Sequence, residues 1–89
     1  MKVKASPSLT ASAQVGQENA VYYGYTVMVL TAAAGMAIRK GSSTGQIIDW
    51  IPSGTAAGAS KDRSVGIACD GGLFFDLNGA TGTVVLFYE

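Results

Sequence analysis

The sequence predicts an all-β fold: a small β-sandwich or jelly-roll-like barrel of about 7–8 short antiparallel strands with an extended N-terminal arm. Three observations predict it. Apolar, β-branched runs recur roughly every ten residues, Gly-rich turns divide them, and no segment carries apolar residues at helical spacing. Residues 1–17 read as the extended arm or an edge strand, and residues 18–89 as a single β-sandwich domain.

Lys2 to Gln17 is rich in Ser, Ala, Thr and Gln, with Pro7 near its start and only Val3, Leu9 and Val15 as larger apolar positions. Proline is accommodated at sheet edges, so an arm or edge strand is expected; the alternative is a frayed terminus. Val21 to Thr31, VYYGYTVMVLT, is a strand, with Gly24 placed for a bulge or a close backbone approach. Strict alternation sets Tyr23, Tyr25, Val27 and Val29 on one face and Tyr22, Thr26, Met28 and Leu30 on the other. Both faces are apolar, so the one turned away from the core needs a second cover.

Ala32 to Ala34 is the one place where a helical turn would be natural, ended by Gly35. Ile38 to Lys61 then reads as the central hairpin: a strand over Met36 to Lys40, a turn at Gly41 to Gly45, and an apolar strand Ile47 to Ile51. Asp49 shares a strand face with Ile47 and Ile51, which makes it either an edge carboxylate reaching water or a partner of Arg39. Pro52 to Ser60, PSGTAAGAS, is a small-residue loop that either hangs free or packs against a neighbouring subunit.

Lys61, Asp62 and Arg63 suggest a solvated turn, and Val65 to Cys69 a short buried strand. After a turn at Asp70 to Gly72, Leu73, Phe75 and Leu77 share one face of a strand. Asn78-Gly79 has the chemistry of a type I′ turn and should join that strand to Thr81 to Tyr88, whose two apolar faces suit the middle of a sheet.

The 89 residues carry six basic and six acidic side chains, 13% charged in all, where about 25% is usual. A domain with so few charges is either solubilised by Ser, Thr, Asn and Gln or covered by copies of itself or a partner. The single cysteine, Cys69, forms no intrachain disulfide and no cysteine zinc site, and reads as a small buried hydrophobe. The start lacks the apolar core of a signal peptide, Val27 to Ile38 is too interrupted to span a bilayer, and no Lys/Arg cluster marks a nucleic-acid surface.

With no histidine, Ser-His-Asp and Cys-His catalysis are excluded. The carboxylates Glu18, Asp49, Asp62, Asp70, Asp76 and Glu89 are scattered, and DGGLFFDLNG has no calcium-loop spacing. GSSTG and PSGTAAG lack the lysine and following helix of a phosphate loop. No enzyme, cofactor or metal site is expected. Trp50, Tyr22, Tyr23, Tyr25, Phe74 and Phe75 all fall in predicted strands, which favours core or interface over a sugar platform.

From Ile38 to Tyr88 the order of strand, GSSTG turn, apolar strand, IPSGTAAGAS loop, VGIACDGGLFFDL strand pair and TGTVVLFY end resembles small bacteriophage virion proteins. The resemblance implies a small β-sandwich or β-tulip that acts as a capsid decoration (cement) protein, binding the outer head shell as a homotrimer and stabilising it. It implies a place on the virion head surface after synthesis in the host cytoplasm. The partners would be copies of itself and the phage major capsid protein, with no nucleic acid and no membrane. Gly71, Gly72, Leu73, Phe74 and Phe75 would form the turn and core strand, Pro52 to Ala59 a capsid or subunit contact, and Val84 to Tyr88 the closing strand. The candidate interface comprises Val3, Leu9, Trp50, Pro52, Ser53, Gly54, Thr55, Ala56 and Phe74. Two alternatives stand beside it: a carbohydrate or host-surface binding module of a phage fibre or tail, and a tail or neck adaptor.

Overall fold

A computed structural model describes residues 3–32 and 35–89, with side chains for all of these but 30–32, 63 and 64. Eight strands follow in order: β1 (Lys4–Ala5), β2 (Ala13–Gly16), β3 (Ala20–Ala32), β4 (Met36–Lys40), β5 (Ile47–Ile51), β6 (Ser60–Cys69), β7 (Leu73–Asp76) and β8 (Thr81–Tyr88). They form two antiparallel four-stranded sheets, the first in the order β1-β8-β3-β6 and the second β2-β7-β4-β5. The all-β sandwich is therefore the fold of the chain, with no helix among the described residues. Of the expected helical turn, Ala32 closes β3, and 33–34 lie outside the described residues.

The core lies between the sheets. Tyr22, Tyr25, Val27, Cys69, Val84 and Leu86 enter it from the first sheet; Met36, Ile38, Ile51, Leu73 and Phe75 enter from the second. Cys69 is fully enclosed, and burial pushes its thiol above the ordinary 9.0.

Gly24 is the bulge, and its effect on β3 corrects the strict alternation. The register shifts between Tyr22 and Gly24, so Tyr22 joins Tyr25 and Val27 in the core instead of facing away from them. Only glycine fits there. A Cβ would lie 2.0 Å from the Lys61 carbonyl oxygen, at a φ of +140°. β6 lies beside β3 in the same sheet, with Gly66 so close to Val21 and Tyr23 that a Cβ would sit 2.3 Å from Val21 Cγ1; the expected second cover does not reach Met28 and Val29, which stay about half exposed.

Other expectations are corrected by tertiary pairing. Lys61 and Asp62 do not form a turn; they lie in β6, opposite Tyr25 and Gly24. Val65 to Cys69 is not a buried strand: β6 is a sheet edge, and Val65 is 82% exposed. The Ile38 to Lys61 hairpin exists, yet its second strand β5 is the edge of its sheet and not the centre. Asn78 and Gly79 adopt the positive φ values of a type I′ turn, 54° and 76°. They nevertheless carry the chain from β7 in one sheet to β8 in the other, so the turn closes a corner and not a hairpin.

Candidate interaction surface

Among the described residues, the large apolar side chains left open to water are Val3, Met28, Val29, Ile47, Trp50 and Val65. Three of these flank one loop: Trp50 stands two residues before Pro52, and Met28 and Val29 follow Val27, whose backbone bonds Gly58 and Ala59. β3 runs out through Met28 and Val29, Gly35 leads into β4, and β5 ends at Trp50 and Ile51, which pair with Ala37 and Met36. The indole of Trp50 lies over Gly35 so closely that a Cβ there would meet Cζ2 at 2.2 Å, while 41% of Trp50 remains exposed.

The loop Pro52 to Ala59 follows β5. Its first turn is closed on the Pro52 carbonyl, which accepts from Thr55 N–H at 3.3 Å and from Thr55 Oγ1 at 2.6 Å. Its second ends with Gly58 N–H donating to Val27 O and Val27 N–H donating to Ala59 O, both at 2.8 Å. Pro52, Ser53, Gly54 and Ala56 are exposed and Thr55 half-buried, so an uncharged loop runs between Trp50 before its start and Met28 and Val29 beside its end.

Asp49, next to Trp50 on β5, joins the two sheets. Its side chain is 3% exposed and faces the interior, where Tyr22 OH donates to Oδ2 at 2.8 Å and Lys61 Nζ donates to Oδ1 at 2.9 Å. Trp50 N–H also donates to Oδ1, at 2.9 Å. Burial raises the proton affinity of this carboxyl. The hydrogen bonds from Lys61, Tyr22 and Trp50 outweigh that effect and hold it below the ordinary 3.8. The Lys61–Asp49 ion pair ties β6 of the first sheet to β5 of the second. Asp49 reaches neither water nor Arg39, whose Nε instead donates to Asp76 Oδ2 at 2.8 Å.

The remaining candidate residues scatter. Leu9 is buried in the core, its backbone bridged to Val84, so it offers no contact surface. Val3 is half exposed beside β1, and Phe74 is half-buried on the outer face of the second sheet, in register with Arg39 and Gln14. Met28 and Val29 were missed because a strand with two apolar faces does not show which is covered. These two uncovered positions were visible in sequence only as hydrophobic strand residues.

The described residues hold no grouping of three or more His, Cys, Asp or Glu that could bind a metal ion. Compared with protein-family models, curated proteins and solved structures, the chain matches none.

Proposed function

We propose that this chain is a structural assembly protein, a bacteriophage capsid decoration (cement) protein that associates with copies of itself as a homotrimer and stabilises the head shell by binding across it. The observation that carries the proposal is that Trp50 at the start of the uncharged Pro52 to Ala59 loop, and Met28 and Val29 beside its end, are all left about half open to water in a chain whose net charge is zero. Such a loop suits being covered: an exposed aromatic anchor at its start, flexible and aliphatic neighbours beside its end, and no charge within it to desolvate. A protein that binds only the assembled shell shifts the assembly equilibrium by mass action, with no chemistry of its own. Threefold self-association would match it to threefold positions of an icosahedral lattice.

Light scattering at about 1 µM and at about tenfold more tests self-association, and co-sedimentation with empty phage shells tests the capsid. A mass of three chains, with binding to shells that become harder to disrupt by heat, is the expected result. A monomer that leaves the shells unchanged overturns it.

The exposure of Trp50 supports a second reading, a carbohydrate or host-surface binding module of a fibre or tail, because a solvent-facing indole is a stacking platform for sugar rings. In that case Trp50→Ala abolishes glycan binding and leaves assembly intact, whereas for the decoration protein it weakens assembly.

A further inference from the structure

Residues 3–9 hold to the body of the sandwich along one strand. Lys4 and Ala5 pair with Tyr88 and Phe87 of β8. Ser6 N–H donates to Leu86 O at 2.8 Å while its buried hydroxyl accepts from Leu86 N–H at 2.9 Å. Leu9 and Val84 exchange both backbone bonds, at 2.8 and 3.1 Å. Leu9 is the one large side chain of the segment that enters the core.

The chain then leaves this sheet altogether. Thr10, Ala11 and Ser12 are exposed, and Ala13 begins β2 on the edge of the opposite sheet, opposite Phe75 of β7. Four Cα steps separate Leu9 from Ala13 and reach at most about 14 Å, against about 10 Å between packed sheets. The connector has little slack, and short taut hinges favour exchange of the element they join. The seat is also loosely filled where the segment starts. Val3 is half exposed, the Lys4 ammonium lies 5.5 Å from the Tyr88 ring centroid, and a cleft of about 210 Å³ opens between Lys4, Tyr88, Glu89 and the turn at Glu18 and Asn19.

We infer that residues 3–9 are an exchangeable strand, and that in the assembled protein the β8 edge of each copy is filled by this segment of a second copy. The inference rests on the self-association proposed above. The same segment from another chain makes the same bonds to Val84, Leu86 and Tyr88, so exchange loses no contact, and zero net charge sets up no repulsion between copies. Each copy then contributes a strand that completes its neighbour's first sheet.

The test places cysteines at register partners, Ala5→Cys with Phe87→Cys, in the full chain with buried Cys69 retained. Oxidation is followed by thiol blocking and a non-reducing gel, with light scattering on the same sample. Covalently linked dimers or trimers are expected. An oligomer whose disulfides are all within one chain overturns strand exchange and leaves self-association standing; a monomer with internal disulfides overturns both. If the double variant does not fold, the wild-type protein serves. A co-refolded mixture of unlabelled and nitrogen-15 chains is treated with a carbodiimide that couples Lys4 to Glu18 or Glu89 across the cleft. Exchange makes about half of the coupled peptides mixed-isotope, as random pairing of equal pools requires, whereas a closed segment makes none.

Discussion

Asp49 binds the two sheets through three donors that come from three strands: Tyr22 on β3, Trp50 on β5 and Lys61 on β6. Because Tyr22 and the carboxylate are both enclosed, Tyr22→Phe leaves a buried charge short of a partner. We expect a loss of about 1.5–3 kcal/mol in urea unfolding. Lys61 is 43% exposed but its partner is only 3% exposed, so Lys61→Met leaves the buried carboxylate without its counter-ion and is expected to cost at least as much as Tyr22→Phe, about 2–4 kcal/mol. The pH dependence follows from the same carboxyl. Its proton affinity is lower folded than unfolded, so its stabilisation is present above the ordinary 3.8 and is lost as the pH falls through that value and below. Unfolding midpoints taken across the acid range should fall steeply below pH 3.8, and Asp49→Asn should flatten that part of the curve.

At the scale of the element, β3 works because one glycine lets its neighbour's backbone in. Gly24→Ala meets both a collision with the Lys61 carbonyl and a disfavoured φ, and is expected to cost about 2–3 kcal/mol. Gly58, at φ +90° with nothing within 4 Å of a Cβ, carries the φ penalty alone, and Gly58→Ala should cost about 1 kcal/mol. The difference between the two, read by chemical denaturation, isolates the close approach of β6. Equal losses would show that the bulge tolerates a methyl group and that β6 can move away.

The whole molecule has a radius of gyration of 11.6 Å, close to the roughly 12 Å expected of a packed chain of this length. Its exposed apolar side chains therefore reflect the design of its surface and not loose packing. The proposed self-association, if it buries Trp50, Met28 and Val29, should resist salt, since apolar burial is undiminished by screening. Light scattering at about 0.05 M and about 0.5 M salt should give the same mass. Trp50→Ser combined with Met28→Ser should lower it.

How much of this was legible in advance depended on how local each cause is. The strands over Val21 to Thr31, Met36 to Lys40, Ile47 to Ile51 and Leu73 to Leu77, the Gly24 bulge and the left-handed turn at Asn78-Gly79 were determined by the sequence itself. Each rests on residue chemistry within a few positions: β-branching, alternation, or a backbone angle that only glycine or asparagine readily adopts. Which strands are neighbours was decided by the tertiary structure alone. The same Asn78-Gly79 turn serves a hairpin or a corner with equal ease, and a bulge of one residue moves Tyr22 from one face to the other. Asp49 shows the limit most clearly. Strand period rightly grouped it with Ile51 but also with Ile47, which a register shift leaves 44% exposed; its partners Tyr22 and Lys61 stand 27 and 12 residues away, and only the packing of one sheet on the other brings them to it.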